Sequence, residues 1–496
     1  MTLPARLVPR RDFANAALVF LLLLCWTALL RLPFWRHTGE DEIFFAVVGR
    51  QWLHGALPYA ASFDVKPPGL FALFALTQFW SAAPILPIKL LGCVAVAATS
   101  TGLFLIGRRY FSPQVGLYTA LLYPFCSLFL SGTELWPEIL QAPFETFAVL
   151  LLLAPRDDLP QRNIVLAGLL LGAAATIRQP GVFEAALLGL MVFFAGSARK
   201  YLRFASFLAG AAIVPAGFLV YFWASGDMRE FLNAAVLGAV ARMHGDNISF
   251  AAGAWRFFPM QKPIIGLLLL TLLLGVHRDL VRQAGLARPV VIIATWLSGV
   301  ALGLIAAKSQ YDHYFLILIP PMLLLGAVFI FHAGGKLVAW AGNLAPLLFA
   351  TFVMVPPLVY VAFNPSAPGA DLAVERQVAR RLHDAGLADG GRILVLDSGA
   401  PIYLYAHAVP AFRVFHRQHL LCDFPGVGAD PLAEALASAP QFIVIKQASA
   451  RLICELPGRI GELNQTLHDR YARIGSVTGP TEGFGLYQAR PTSIPR

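Results

Sequence analysis

The chain has 496 residues, of which 57% are hydrophobic and only 13% charged, with a formal net charge of +10. Soluble domains carry roughly 25% charged residues, so this composition excludes an ordinary soluble protein and points to lipid as the main solvent. The positive balance does not signal nucleic-acid binding, because the basic residues fall between apolar runs and do not gather on one soluble face.

A helix that crosses a bilayer needs about 20 mostly apolar residues. Arg6, Arg10 and Arg11 precede the first such run, at 14–33, and no small-residue cleavage site follows Leu29. The run therefore reads as a retained span and not as a leader. Further runs lie at 87–106, 114–131, 138–154, 163–177, 181–196, 204–224, 262–276, 289–307, 314–332 and 337–363, which makes eleven. The stretch 70–83 is shorter and is interrupted by Gln78 and Ser81. Basic residues concentrate in cytoplasmic connectors. With 70–83 kept at the interface, the N-terminus, Arg108 with Arg109, Arg156 with Arg162, Arg199 to Arg203, Arg278 to Arg288, and Lys336 all fall on the cytoplasmic side. If 70–83 crossed, every later connector would flip. The expectation is an all-α polytopic membrane domain over 1–363, with about eleven spans, the N-terminus inside and a first outer loop at 34–86.

Beyond 363 the composition turns mixed and polar. Residues 373–385 read as an amphipathic helix with Val374, Val378 and Leu382 on one face, and 392–396, 441–445 and 484–488 read as short strands. A small α/β domain outside the membrane is expected over 364–496. Cys25, Cys93 and Cys126 lie in apolar runs as packing residues, while Cys422 and Cys454 are placed to pair if their segment is periplasmic.

In this topology the unusual polar residues all face outward. Glu40, Asp41 and Glu42 follow the first span, and three consecutive carboxylates repel one another and are costly to desolvate. One of them can serve as general base on an acceptor hydroxyl or amine. An amphipathic helix over 43–54 follows, and then Lys66 ahead of two prolines, a fixed positive charge suited to phosphate. Glu134 lies where the third span emerges, and Glu138 begins the next helix; acids at membrane depth are functional candidates by default, with Glu134 preferred as site residue and Glu138 open to pairing with a basic group in packing. Arg178 ends the fifth span with a planar fork for phosphate oxygens. Tyr311, Asp312, His313 and Tyr314 open the tenth span and supply hydrogen-bond donors. Carboxylates and cations together suit chemistry with a phosphate leaving group and a base. The alternative is a transporter or flippase of an amphipathic anion. Transporters usually show repeats and polar residues at the midplane, whereas here the polar residues gather at one face.

Asp41–Glu42, the run Gly55 to Tyr59 with its Pro–Tyr ending, and the run Asp64 to Gly69 resemble the first periplasmic loop of bacterial GT-C glycosyltransferases (glycosyltransferase family 39-like). These are similar to protein O-mannosyltransferases and to the enzymes that add aminoarabinose to lipid A. Thr133–Glu134, Arg178–Gln179, and His313–Tyr314 followed by a Leu–Ile–Pro–Pro run resemble further positions. The resemblance implies an inner-membrane enzyme. It would move a sugar from a polyprenyl-phosphate donor to a lipid, glycan or protein acceptor on the periplasmic face. It makes Asp41 the essential acid with Glu42 as neighbour, and puts Lys66, Arg178, His313 and Tyr314 on the donor phosphate. Some members use a divalent metal, for which Asp41 is the candidate ligand here. Two departures are Arg178 in place of a common lysine and Gly39 in place of a common acid, while Glu40 directly precedes the pair.

Overall fold

A computed structural model describes residues 10–35, 38–79, 84–128, 130–154, 159–194, 199–241, 286–308, 311–333, 372–396, 399–421, 427–428, 430–446, 456–479 and 483–491. The chain divides into two compact units. One comprises Met1–Trp35, Lys89–Leu219 and Asn247–Pro365; the other comprises Arg36–Ile88, Val220–Asp246 and Ser366–Arg496. The first loop and the C-terminal region therefore belong to the same unit.

The first unit is built of apolar helices: α1 (Arg10–Arg31), α4 (Leu86–Tyr110), α5 (Pro113–Cys126), α6 (Pro137–Leu152), α7 (Gln161–Ile177), α8 (Gly181–Phe194), most of α9 (Lys200–Ser225), and the helix Ala287–Ala306. Among the described residues, five helices are long and apolar enough to cross a bilayer, while α7 and α8 are apolar but shorter. The expected spans 262–276 and 337–363 lie outside the described residues, as do Cys422 and Cys454. Small residues set the helix spacing. A Cβ on Gly107 would come within 2.5 Å of the Gly116 backbone, and one on Gly172 within 2.1 Å of the Ala211 carbonyl oxygen. The helix pairs α4/α5 and α7/α9 thus approach backbone to backbone, as small residues permit in lipid.

The span expected at 314–332 is not one regular helix. It runs as a 3-10 turn at Asp312–Leu318, an α-helix at Ile319–Val328 and a π-turn at Phe329–Ala333. Pro320 and Pro321 have no backbone N–H to give to a preceding turn, so the α-helix can only start around them, with the prolines in its first turn.

In the second unit, α2 (Glu40–Leu53) crosses α3 (Pro68–Ala75) closely, since a Cβ on Gly49 would sit 2.6 Å from the Ala75 nitrogen. With eight residues, α3 is far too short to span. Between them Tyr59 takes a left-handed φ of 72°. Its backbone N–H donates to the Ser62 carbonyl at 2.8 Å, and its buried ring packs on Phe71, Phe222 and Phe231. The phenol donates to the Lys66 carbonyl at 2.9 Å, which fixes where Lys66 begins.

The C-terminal part carries a five-stranded sheet in the order β2-β1-β3-β5-β4, with β1 Arg392–Leu396, β2 Val409–Pro410, β3 Phe442–Lys446, β4 Tyr471–Thr478 and β5 Gly483–Ala489. β1 runs parallel to β2 and β3, and β5 runs antiparallel to β3 and β4. Ile393, Leu394, Phe442, Ile443 and Phe484 are fully buried in its core. β4 is an edge strand, exposed over most of its length, and its sequence lacks the apolar run that marks β1 and β3. The helix Ala373–Asp384 buries Val378 and Leu382.

Candidate active site

The three consecutive acids of the first loop have different surroundings. α2 begins at Glu40 with Gly39 as its N-cap. The Glu42 carboxylate folds back and accepts from the Gly39 N–H at 3.0 Å, in capping-box fashion, and Glu42 is only 1% exposed. Asp41 keeps a side chain 38% exposed, with Oδ1 3.5 Å from Nε2 of His416. The first loop thus brings an accessible carboxylate to an imidazole from a position 375 residues later in the chain.

His416 sits edge-on to Phe44 at 5.3 Å and near His419 at 4.9 Å between ring centroids. Burial alone would lower its proton affinity. The hydrogen bond to Asp41 and the charges of Glu40, Asp41 and Asp64 outweigh burial and push it up to about 9. Asp64 is buried, and its carboxylate accepts the Lys66 backbone N–H at 2.9 Å. Burial raises the Asp64 carboxyl above its ordinary range. The Lys66 charge and this hydrogen bond pull it back, Asp41 raises it, and His416 lowers it. Asp41, Asp64, Lys66 and His416 therefore form one electrostatic cluster within the second unit. Lys66, half-buried, keeps its backbone fixed between Pro67 and the Tyr59 phenol.

The remaining candidates lie in the first unit. Arg178 follows the last turn of α7, and its Nε meets Oε1 of Glu138 at 2.7 Å, with side chains 5% and 1% exposed. The guanidinium also lies over the Tyr314 ring at 5.4 Å. His313 stacks on Trp136 at 3.6 Å and 7°, faces Tyr311 at 5.7 Å on its other neighbour, and meets Tyr314 edge-on at 4.6 Å. Glu134 is half-buried in the turn before α6, where Leu130 and Ser131 take left-handed φ values of 58° and 61°. Glu138 thus engages Arg178 directly.

Sequence reasoning passed over several groups. Asp64 stands two residues before Lys66, and His416 lies in no recognisable motif. Glu145 and Glu184, both fully buried, lie inside apolar helices. Glu145 accepts from the Trp296 indole at 2.8 Å and from Gln141. Acids within apolar spans were a usable signal. Among the described residues no group of three or more His, Cys, Asp or Glu side chains is arranged to hold a metal ion. Asp41 stays the candidate ligand that the resemblance implies for a divalent metal, and the chemistry proposed for the chain runs through none.

Residues 65–223 match the family model of the dolichyl-phosphate-mannose-protein mannosyltransferases. The matched segment includes Lys66 and Arg178 and begins after Asp41 and Glu42. No curated protein matches the sequence. Among solved structures, ArnT from Cupriavidus metallidurans bound to undecaprenyl phosphate superposes with a TM-score of 0.60 at 13% identity, covering 98% of this chain and 100% of ArnT. The same protein in the apo state gives 0.60 at 15% identity, over 97% and 100%. The archaeal oligosaccharyltransferase AglB from Archaeoglobus fulgidus, in complex with an inhibitory peptide and a dolichol-phosphate, gives 0.55 at 14% identity, over 98% of this chain and 75% of AglB. This chain therefore has the fold of these GT-C proteins, and part of it resembles the mannosyltransferases in sequence.

Proposed function

We propose, from this GT-C resemblance, that the chain is a multi-pass membrane glycosyltransferase. It takes a sugar from a polyprenyl-phosphate donor and passes it to a lipid, glycan or protein acceptor on the periplasmic face of a bacterial inner membrane, with about eleven spans and the N-terminus in the cytoplasm. The observation that carries the reading is the accessible Asp41 carboxylate in a cluster with Lys66 and His416. Solved neighbours of the same fold hold undecaprenyl phosphate or dolichol-phosphate, which supports a lipid-phosphate donor.

Asp41 is the general base. It takes the proton from the acceptor hydroxyl or amine as that atom bonds to the anomeric carbon, and the bond from that carbon to the donor phosphate breaks. The lipid phosphate leaves as a stable anion and needs little protonation, so one carboxylate suffices, unlike glycoside hydrolysis with its pair. Glu42 is occupied in holding the start of α2. Among the three consecutive acids this leaves Asp41, with Glu40 beside it. The donor phosphate falls first to Lys66, the cation of the Asp41 cluster. Arg178, His313 and Tyr314 keep their phosphate assignment as candidates, although Glu138 already matches the Arg178 charge. Mass spectrometry of lipopolysaccharide, capsule and periplasmic proteins from a deletion strain tests the reading. One envelope component should lose a sugar and regain it on complementation. An unchanged envelope, with altered export of an anionic lipid, would point to a transporter instead.

A further inference from the structure

α2, which carries the proposed base, is held at several points by residues of the C-terminal region. Phe44 packs on Phe415 with ring centroids 4.6 Å apart. Arg50, at the far end of α2, donates to the Leu404 carbonyl at 3.1 Å and meets Nδ1 of His407 at 3.0 Å. Further along the loop, the Phe63 N–H donates to the Arg413 carbonyl at 2.8 Å. These contacts dock the helix without help from His416. The His416 ring is placed differently. Its Nε2 faces Asp41, the rings of Phe44 and His419 lie against it at 5.3 and 4.9 Å between centroids, and its Nδ1 is buried with no hydrogen-bond partner among the described residues. The polar contact that the described structure gives this ring is thus the one to Asp41.

We propose that His416 is a positioning residue for Asp41. The imidazole N–H donates to one carboxylate oxygen and turns the other toward the acceptor, so the C-terminal region completes a site that the first loop begins. The proposal rests on Asp41 being the base. A carboxylate at the first turn of a helix has rotamer freedom, and misplacing a reacting group by about 1 Å can cost about 10²-fold in rate. Holding one oxygen narrows the rotamers open to the carboxylate.

The test uses the full-length chain returned to its deletion strain. The readout is the initial rate at which the missing envelope modification reappears, per unit of membrane-inserted protein. His416→Ala should lower the rate about 10- to 10²-fold, and His416→Gln, which keeps a donor, should recover part of the loss. Combined with Asp41→Asn, His416→Ala should cause no further loss, because His416 acts through Asp41. A wild-type rate for His416→Ala beside an inactive Asp41→Asn overturns the positioning role and leaves the enzyme reading standing. An undiminished additional loss in the Asp41→Asn background also overturns it, since His416 would then act on its own. A wild-type rate for Asp41→Asn sinks the underlying assignment of the base. If His416→Ala fails to accumulate in the membrane, His416→Phe, which fills the space without a hydrogen-bond donor, carries the same test, and a wild-type rate there overturns the proposal.

Discussion

Changing Glu138 to Gln removes one charge from a pair whose side chains are only 5% and 1% exposed. Arg178 stays charged under all ordinary conditions, so the variant buries a guanidinium without its direct counter-ion. Breaking a buried pair by removing one partner costs about 3–5 kcal/mol. One feature of the structure pulls this toward the lower figure: Arg178 lies over the Tyr314 ring. The expected loss is therefore about 3 kcal/mol, read as a lower thermal midpoint of the purified protein in detergent. Removing both charges, with Glu138→Met and Arg178→Met, should restore most of that stability, since a buried pair is often no better than an apolar pair of similar volume. The double variant separates structure from function. If it is stable and still transfers sugar at the wild-type rate, Arg178 is a structural cation and not a phosphate ligand. A midpoint for Glu138→Gln equal to the wild type would refute the reasoning about the buried pair.

Other consequences can be checked alongside. Lys66→Ala should raise the donor concentration needed for half-maximal transfer while the protein still inserts, because Asp64 and Tyr59 hold its backbone whatever the side chain; unchanged donor dependence removes it from the phosphate. Gly49→Ala places a methyl 2.6 Å from the Ala75 nitrogen, a backbone atom that cannot swing aside. A cost of about 1–3 kcal/mol is expected from such overpacking, seen as lower accumulation and an earlier melt. The ionised His416 contributes stability because its folded value, about 9, lies above its ordinary one. That contribution is fully present below about pH 6.5 and is lost as pH rises through about 9. The thermal midpoint of the wild type should therefore fall more steeply between these values than that of His416→Gln, and parallel curves would contradict the ion pair.

Much of this was legible in the sequence for identifiable reasons. Apolar length marked the long helices, while the basic connectors and not length assigned 70–83 to the interface; Pro68–Ala75 is a helix of two turns, too short to span. The acids of the first loop stood out because carboxylates beside a span have no packing use. What separates Glu42 from Asp41 was also present locally, as the three-residue spacing from Gly39 that makes a capping box. That Glu138 could pair with a basic group was legible, but not that the partner is Arg178, since that depends on which side of α6 meets the end of α7. His416 was hidden more deeply. It lies between short elements of the C-terminal region and gains meaning only when the chain folds back onto α2. The irregular course of 312–333 follows from Pro320 and Pro321, whose effect on a span depends on where its first turn begins.

The central claim is that Asp41 is the base that activates the acceptor. Asp41→Asn keeps the size of the side chain and most of its hydrogen bonding but removes its charge and basicity. The direct measurement is the initial rate of sugar transfer in membranes from a deletion strain carrying Asp41→Asn, Glu40→Gln or Glu42→Gln, at equal levels of inserted protein. A general base contributes about 10²–10⁴-fold. The account predicts a loss of that order for Asp41→Asn, a small loss for Glu40→Gln, and for Glu42→Gln a loss traceable to a less stable helix start. Wild-type transfer by Asp41→Asn would contradict the account.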